Sequence, residues 1–431
     1  MAAQIILSLS ILVGIHEAGH MFFAKLFGMR VEQFSIGFPP KIFKIKKGET
    51  EYSIGAVPLG GFVKISGMVD ESLDTEKLKE EPKPWEFRSK PAWQRLIVMI
   101  GGIAMNVIIG IAIFIILLYS YGEPYIPKEN VNRHGIYAFE LAENVGLRTG
   151  DKILDINGRD YEEFSELLGI DVLLERGSYY TVERNGQIIR VDLPPDLIER
   201  FSEKENRGRF IAPRSFTEVD GFTESSPAQE AGLQKGDVIV EIDGDTIYFQ
   251  DLPAAIKEKA DQTVALGIQR GGELTTIEVK VASNGMIGIR MNPHQLYDYR
   301  RYTFAESVAN GAEKAFVAVY SNAKALGMVI TGKLDARKSL SGPIGIAQVF
   351  GGTWDWQNFW YLTGLISMIL AFMNLLPIPA LDGGHVVFLM YEIISGRKPS
   401  DKFMENAQKV GMLVLLTLMA FVIFNDIWKL F

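Results

Sequence analysis

The chain has 431 residues, enough for two to four domains. Apolar residues make up 48% of it and charged residues 22%, a balance that predicts membrane helices joined to sizeable soluble parts. The formal net charge of −8 argues against a nucleic-acid partner. Cysteine is absent, which excludes a disulfide framework and thiolate metal ligands. Any metal site must therefore use histidine and carboxylate ligands.

The first segment that is apolar enough to span a membrane contains a metal-binding motif. His16 and His20 are four residues apart, so on a helix both side chains lie on one face and can bind one metal ion. Glu17 beside them can take a proton from a water that the metal activates. Ionisable groups at bilayer depth are costly unless they pair or coordinate an ion, so they predict a functional site. The alternative is a chance motif on a partly buried helix.

Four segments are long and apolar enough to be membrane spans: 3–23, 96–119, 359–376 and 410–427. Lysine and arginine are concentrated in the loops 25–95 and 385–409, which predicts that both loops are cytoplasmic. The long region 120–355 is then expected outside. Spans one and three run in the same direction, so polar groups near their inner ends are expected at similar depth.

The end of the third span supplies a candidate for the third metal ligand. Pro377 and Pro379 cannot continue a helix, and an open backbone is tolerated at membrane depth only where it is buried in protein or lines a cavity. Catalytic zinc commonly takes three protein ligands, so we predict Asp382 as the third. Asn374 and the two prolines are expected to contact substrate. An ordinary helix exit turn, or His385 as the ligand instead, are the alternatives.

The two motifs together, HEAGH at 16–20 and NLLPIPALDGG at 374–384, resemble the site-2 protease family of intramembrane zinc proteases. The stretches 87–95 and 341–346 are similar to the bacterial RseP type within that family. The stretch 101–106 departs from the family pattern, which usually has a proline after the glycine, although Asn106 matches.

The resemblance implies a role for each motif residue. It makes His16, His20 and Asp382 zinc ligands, Glu17 the general base and Asn374 a substrate contact. It also implies cleavage of membrane-anchored substrates.

Residues 31–66 are predicted to form strands. The segments 31–38, 41–46, 52–57 and 61–65 alternate apolar and polar residues, with a turn at 47–49. An exposed strand edge there could accept an unwound substrate segment, and Gly60, Gly61 and Phe62 are predicted to bind it. The alternative is a small sheet that only shields the site.

The region expected outside contains an internal repeat. Residues 146–158 match 232–244 at an offset of 86 residues, and the turns 185–186 and 271–272 keep the same offset. Such turns between alternating strands are typical of β-hairpins. A repeat of this length predicts a pair of domains rather than a solenoid.

The repeated Gly-Leu-x-x-Gly-Asp stretch resembles PDZ domains of bacterial proteases, which bind a peptide as an added strand. The predicted ligand loops contain Gly146, Leu147, Gly150, Asp151, Gly232, Leu233, Gly236 and Asp237. Peptide binding is expected mainly in the second copy, because the first lacks the lead-in found at 226–228. The alternative for both is a steric gate that excludes bulky substrates. His134 and His294 are expected at the surface.

The predicted fold is a polytopic α-helical membrane protein with four transmembrane helices, a membrane-associated β-rich loop and two extracytoplasmic α+β PDZ domains. The expected parts are the first span (1–30), the β-rich loop (31–94), the second span (95–121), two PDZ domains (122–210 and 211–297), a connector (298–356), the third span (357–384) and a cytoplasmic loop with the fourth span (385–431). The helical pattern at 302–331 fits either a helix on the outer membrane surface or a packed connector.

The resemblance implies a Zn²⁺-dependent endopeptidase of the bacterial inner membrane, embedded in the lipid bilayer with its active site toward the cytoplasm. Its expected substrates are single-pass membrane proteins, namely anti-sigma factors already cut outside by a site-1 protease, and signal-peptide remnants. Two other hypotheses remain: a membrane zinc protease acting on soluble or unfolded chains, and a catalytically silent PDZ receptor.

Overall fold

The computed structural model describes residues 2–68, 81–169, 172–173, 177–197, 200, 209–332, 342–352 and 354–428. The chain divides into two units. Met1–Gly122 and Arg301–Phe431 form the first, called here the helical unit. Glu123–Arg300 forms the second, called the repeat unit.

The helices, in chain order, are α1 (Ala2–Leu26), α2 (Ala92–Tyr121), α3 (Lys128–His134), α4 (Glu140–Val145), α5 (Phe164–Leu167), α6 (Pro227–Glu230), α7 (Leu252–Glu258), α8 (Phe304–Ile330), α9 (Pro343–Val349), α10 (Trp356–Leu375), α11 (Asp382–Ser395) and α12 (Asp401–Trp428). Phe87–Ser89 forms a short 3₁₀ turn before α2.

The strands are β1 (Val31–Lys47), β2 (Thr50–Ile65), β3 (Glu123–Tyr125), β4 (Ile136–Ala138), β5 (Lys152–Ile156), β6 (Tyr179–Arg184), β7 (Gln187–Asp192), β8 (Ile211–Pro213), β9 (Thr217–Phe222), β10 (Val238–Ile242), β11 (Asp245–Thr246), β12 (Thr263–Arg270), β13 (Glu273–Lys280), β14 (Ile289–Pro293) and β15 (Asp298–Arg300).

Four helices in the described part of the chain are long and apolar enough to cross a membrane: Ala2–Leu26, Ala92–Tyr121, Trp356–Leu375 and Lys402–Trp428. They confirm the prediction of four apolar helices. Many of their large apolar side chains are exposed, as in Ile108, Ile116 and Leu413. Exposed apolar surface of this extent is stable in lipid rather than in water.

Small residues let the helices of the helical unit approach closely. A Cβ atom added at Gly19 of α1 would lie 2.8 Å from the backbone carbonyl carbon of Gly101 in α2. On the other side of α2, a Cβ at Gly110 would lie 2.6 Å from the sulfur of Met368 in α10. Close backbone approach through glycine is typical of helix packing in membranes. It places α2 between α1 and α10.

Polar side chains connect the same helices. The Thr363 hydroxyl in α10 donates to Ser8 Oγ of α1 at 3.0 Å, and the Ser367 hydroxyl donates to the Asn106 carbonyl of α2 at 2.8 Å. All three side chains that supply these groups are buried. Hydrogen bonds of this kind fix the rotation of each helix about its axis, because a buried polar group without a partner is costly.

β1 and β2 together form a small sheet of four segments. Residues 33–36 of β1 pair with 51–54 of β2 on one side and with 61–64 on the other, and 43–47 pair with 50–54. These are the four strand segments predicted from the alternating pattern, although the backbone continues through the bends between them. The segment around Gly61 is one edge of the sheet and packs beside α1, where a Cβ at Gly61 would lie 2.6 Å from Val13.

The chain reverses sharply between α10 and α11. Ala380 adopts φ 87°, a strained value for a residue other than glycine. A Cβ at Gly384 would lie 2.7 Å from the Ile378 carbonyl oxygen, so only glycine fits where the turn folds back on α11. Asp382 becomes the first residue of α11. Residues 382–395 are helical, so the predicted cytoplasmic segment after the third span begins within a helix.

The last helix, α12, also contains a buried charged residue near its C-terminal end. Asp426 in α12 is buried, and its carboxylate accepts hydrogen bonds from the backbone N–H groups of Gly342, Ile344 and Gly345 at 2.9–3.0 Å. A carboxylate at the start of a helix satisfies N–H groups that have no partner within the helix. Asp426 therefore holds the segment that leads into α10.

Helix α8 is a packed connector. Its first turn is closed by a capping box between Thr303 and Glu306. A Cβ at Gly311 would lie 2.9 Å from the Ile115 backbone nitrogen of α2, and Ala315 is fully buried in a cluster with Phe114. This contact with α2 favours the packed connector over a helix that lies alone on the membrane surface.

In the repeat unit the 86-residue offset is preserved in three dimensions. β5 pairs with β6 through Ile153↔Val182 and Ile156↔Tyr180, and β10 pairs with β12 at the equivalent positions. The buried core residues correspond in the same way: Leu147, Ile153, Tyr180 and Val182 in the first copy, Leu233, Ile239, Leu266 and Ile268 in the second. The two copies thus share one local structure.

An ion pair between an arginine and a buried aspartate also recurs in both copies. Arg184 binds Asp151 at 2.7 Å and the Gly146 carbonyl at 2.8 Å. Arg270 binds Asp237 at 2.6 Å in the equivalent position. Burial raises the pKa of Asp237, but hydrogen bonds from Arg270 and from the Gln234 N–H outweigh it and hold that pKa below its usual value.

Candidate metal centre

Two distant parts of the chain place three ligand atoms together. His16 and His20 project from α1, and Asp382 stands at the start of α11. His16 Nε2 lies 3.0 Å from Asp382 Oδ2 and 3.2 Å from His20 Nε2, and the third side of the triangle is 3.3 Å. Among the described residues this is the group of histidine and acidic side chains suited to holding a metal.

Groups of α2 contact the outer nitrogen, Nδ1, of each imidazole and leave Nε2 directed toward the other ligand atoms. His20 Nδ1 lies 2.8 Å from the Val98 carbonyl, so it carries the proton and Nε2 keeps a lone pair. His16 Nδ1 lies 3.3 Å from the Asn106 amide, whose buried Oδ1 has no other partner. With the side-chain amide of Asn106 rotated by 180°, its oxygen and nitrogen exchange places. The Asn106 Oδ1 atom then accepts the proton of His16 Nδ1. Both contacts come from α2, which orients the histidines from behind.

The cluster fits a tetrahedral zinc ion. Three lone-pair atoms that face one another within 3.0–3.3 Å repel unless a cation or proton lies between them. Asp382 Oδ2 is buried and lacks a hydrogen-bond donor in the described structure. A tetrahedral site with bonds of about 2.0–2.1 Å separates its ligand atoms by about 3.3 Å. The spacing and the two-histidine, one-carboxylate set therefore match zinc.

Two glycines make room for the centre. A Cβ at Gly102 of α2 would lie 2.7 Å from His16 Cε1 and closer still to His20 Nε2. A Cβ at Gly61 would lie 2.6 Å from the Ser35 carbonyl and 3.5 Å from Glu17 Cγ. Any larger residue at Gly102 would displace the imidazoles.

A cavity of about 630 Å³ opens onto the three ligands. Its walls come from α1, α2, α10, the β-sheet including its edge at 60–65, the start of α11 and α12. The lining is mainly apolar around the convergent polar groups, as is typical of substrate sites. A volume of this size accommodates several residues of an extended peptide.

Glu17 lines the same cavity, one residue from His16. Its carboxylate accepts a hydrogen bond from the Val63 backbone N–H of the sheet edge. The glutamate is thus held between the metal ligands and the strand that borders the cavity. A carboxylate in this place can accept a proton from a water beside the ligands.

The other residues predicted for the site divide into those that line the cavity and those that do not. Asn374 Nδ2 lies 3.3 Å from His16 Nε2, and Gly60, Gly61 and Phe62 line the cavity. His385 lines it too, but its Nε2 lies 3.0 Å from the Gln408 amide rather than in the ligand triangle. Pro377 and Pro379 form the turn and are not among the cavity walls, so the structure gives them a backbone role.

The residues predicted for the ligand loops of the repeat have structural roles. Gly146, Gly150, Gly232 and Gly236 have φ between 91° and 102°, which favours glycine. Leu147 and Leu233 are buried in the two cores, and Asp151 and Asp237 bind their arginines. His134 and His294 are half-buried rather than exposed at the surface, because the two copies and the segment between them enclose them.

The sequence profile of peptidase family M50 matches residues 4–418. The chain belongs to peptidase family M50. It is therefore a metalloprotease, and four apolar helices place this M50 protease in a membrane.

Curated relatives match over nearly the whole M50 chain. The regulator of sigma E protease of Haemophilus influenzae is 31% identical, over 99% of this chain and 98% of its own. Regulator of sigma-E protease RseP of Escherichia coli is 30% identical, with the same coverage. A relative from Neisseria meningitidis, 28% identical with the same coverage, is named as a candidate zinc metalloprotease. Zn²⁺ is the cofactor that these names and the ligand geometry support, and the bacterial relatives fit an inner-membrane protein.

Several residues that shape this M50 site carry no strong signal in the sequence. Val98 contributes only its carbonyl, which any residue could supply. Gly102 is one glycine of a GG pair in an apolar helix, and Gln408 is an isolated amide near the start of α12. Only contact with α1 and α11 gives these residues a role.

Proposed function

We propose that the protein is an intramembrane zinc endopeptidase that cleaves transmembrane segments of single-pass proteins. The observation that carries the proposal is the convergence of His16, His20 and Asp382 in a cavity formed by helices apolar enough to lie in lipid. A membrane zinc protease acting on soluble or unfolded chains would usually carry this motif on a soluble helix rather than in a membrane span. A silent receptor has no need of the ligand triangle.

The residues divide the chemistry among them. His16, His20 and Asp382 would hold Zn²⁺, which would supply Lewis-acid chemistry to the scissile carbonyl and to a water. Glu17 would accept a proton from the water whose oxygen attacks the scissile carbonyl carbon, and would return it to the leaving amine as the C–N bond breaks. Asn374 hydrogen-bonds the substrate backbone next to His16.

The β-sheet edge is the proposed place of substrate binding. A peptide bond in a helix is shielded by its own hydrogen bonds, so the substrate must be extended before hydrolysis. In the described structure the 61–64 segment pairs on one side only, with 33–36. Its open side borders the cavity at Gly61 and Phe62. An unwound segment added there as a strand would run past the ligand triangle.

The substrates are proposed from the names of the relatives, and the orientation in the membrane from the basic loops. Two of them are named for the regulation of sigma E, which supports anti-sigma factors pre-cut by a site-1 protease as substrates, with signal-peptide remnants as a second group. Basic residues in the loops of the helical unit support an active site toward the cytoplasm and an exported repeat unit. We propose that the repeat copies are PDZ domains that either bind a peptide end or exclude bulky substrates.

Replacement of Glu17 by Gln tests the chemistry. We expect the variant to fold and bind zinc like the wild type, with cleavage of a test substrate containing one transmembrane helix reduced by about 10²–10⁴-fold, since that is the usual contribution of a general base. Zinc content and peptide mapping of the products in detergent are the measurements. Glu313→Gln, an exposed glutamate of α8, is the matched control and should cleave normally.

The same assay separates the alternatives. Cleavage retained by Glu17→Gln would exclude the assigned base. Wild-type cleavage of an unfolded soluble chain, but not of the membrane helix, would favour a protease for soluble substrates. Zinc binding without any cleavage would favour the receptor.

A further inference from the structure

The repeat unit contains a second, open cavity of about 260 Å³, lined by residues from both copies and from the segment between them. Its walls are formed by α3 at 130–134, by the segment 214–216 that joins the copies, by 294–296 and by Gln269. Nothing in the proposed peptidase chemistry uses it. It lies within one unit and consists of described residues only.

The ionisable side chains that line this cavity are all basic. Arg133, Arg214, His134 and His294 line it, and no aspartate or glutamate does. Arg133 donates only to neutral oxygens, Asn130 Oδ1 at 3.0 Å and Gln295 Oε1 at 3.2 Å. Both arginines line the cavity, and neither guanidinium group binds a carboxylate in the described structure, which leaves both available to an anion.

Two buried polar atoms in the lining lack partners. Ser215 is only 3% exposed, and its hydroxyl makes no hydrogen bond in the described structure. Arg214 Nε is also buried and unpartnered, while the guanidinium stacks on Tyr248 with its carbon 3.7 Å from the ring centroid. The stacking fixes the direction of the arginine. A buried polar group without a protein partner can be satisfied by a water or by a bound ligand.

The two arginines also affect the pKa of His134. Its ring contacts Phe216 and Tyr248 with centroids 4.8 and 5.5 Å away. Burial, together with the charges of Arg133 and Arg214, holds the pKa of His134 below its usual value. The imidazole of His294 lies 2.8 Å from Glu218, which is not among the residues that line the cavity.

We propose that this cavity binds a small oxyanion, a phosphate or a carboxylate group, through Arg133, Arg214 and the Ser215 hydroxyl. Guanidinium groups match the geometry of such oxygens, and a hydroxyl adds a neutral donor. Because α3 belongs to the first copy and 214–216 joins it to the second, the bound anion contacts the first copy and the segment that leads into the second. It therefore ties the two copies together. This role is independent of the proposed peptide cleavage.

Calorimetric titration of the full-length protein in detergent with inorganic phosphate tests the proposal. Chloride keeps the ionic strength constant, so that general screening does not change. We expect one saturable site per chain. Arg133→Gln and Arg214→Gln should each weaken binding by about tenfold or more, because each removes a charge-assisted hydrogen bond. Arg159→Gln, an exposed arginine of the same unit outside the cavity walls, should bind like the wild type.

A second readout does not depend on heats of binding. Bound phosphate should raise the pKa of His134 in a proton-carbon NMR titration of the histidine C–H signals, because an anion offsets the two arginines. Arg133 is exposed, so its variant should fold even where loss of the stacked Arg214 impairs folding.

Titrations with acetate and with a peptide bearing a free or amidated C-terminus distinguish the sources of the oxyanion. Competition by acetate and the free peptide end assigns a peptide carboxylate, and binding of phosphate alone assigns an inorganic anion. Either result supports the site. Absence of saturable binding by both anions, or wild-type binding by both arginine variants, overturns it.

Discussion

At the scale of single residues, the metal centre depends on its ligand side chains and on the lack of a side chain at Gly102. His16 and His20 can bind one ion because α1 repeats every 3.6 residues. They can do so in this position because Gly102 leaves their rings free. The first condition is visible in the HEAGH motif. The second appears only when α2 is packed against α1.

Gly102→Ala should reduce zinc affinity by at least about tenfold. The added methyl group would lie 2.7 Å from His16 Cε1, so the ring must move and the ligand triangle must open. Alanine itself favours a helix by about 1 kcal/mol, so α2 should remain folded. Competition with a chromophoric chelator measures the affinity, and circular dichroism measures the helix.

Gly327→Ala in α8 is the matched control, because a Cβ there meets nothing within 4 Å. It should bind zinc like the wild type. Equal zinc affinity of the Gly102 and Gly327 variants would contradict the packing argument.

At the scale of elements, α11 is tied to α2 by a largely buried ion pair. Arg95 at the start of α2 binds Glu392 of α11 at 2.5 Å, and the two side chains are 8% and 19% exposed. Because α11 begins with Asp382, this pair helps to fix the helix that carries the third ligand. Arg95 is the last residue of the 87–95 motif, so the ion pair gives this residue of the motif a structural role.

Glu392→Gln should lower the free energy of unfolding of the helical unit by about 3 kcal/mol, since it leaves a buried arginine without its partner. Zinc affinity should fall with it. Replacing both residues by Met should recover part of the loss. Thermal unfolding in detergent, arranged as a double-mutant cycle, gives the coupling energy.

The exposed pair Lys409–Glu405 on α12 is the comparison. Glu405→Gln should change stability by less than about 0.5 kcal/mol. A coupling energy for Arg95 and Glu392 as small as that would rule out the tie between α2 and α11.

The sheet of 31–65 illustrates how far an element can be predicted. The alternating pattern gives the four strand segments, because side chains of a strand alternate between its faces. It does not give their order in the sheet. The order places the segment around Gly61 at the edge beside Glu17, and it depends on the bends that return β2 along β1.

At the scale of the whole molecule, zinc should stabilise one unit and not the other. Its ligands lie on α1 and α11, so binding links distant parts of the helical unit. Zinc at about a thousand times its dissociation constant adds roughly 4 kcal/mol to the native state. Chelation should therefore lower the unfolding temperature of the helical unit by several degrees and leave that of the repeat unit unchanged.

Differential scanning calorimetry with and without a chelator measures both transitions. Asp382→Asn serves as the reference, because its transition should no longer respond to chelation. An equal shift in this variant, or a shift of the repeat unit, would show that the metal binds elsewhere.

The sequence by itself determined the properties that depend on local period and composition. Apolar runs of sufficient length predicted the four membrane helices, the four-residue spacing predicted that His16 and His20 share a face, and the 86-residue offset predicted two equivalent copies. These features need no distant partner, because each follows from helix period, strand period or residue-by-residue matching.

The tertiary structure decided everything that depends on which surfaces meet. It put Asp382 within 3.3 Å of both histidines, turned Val98 and Asn106 toward their outer nitrogens, and gave His385 a different partner. It also gathered Arg133, Arg214 and Ser215 around a cavity that no motif announces. Contacts between segments hundreds of residues apart have no period in the sequence, since they depend on the packing of whole helices and domains.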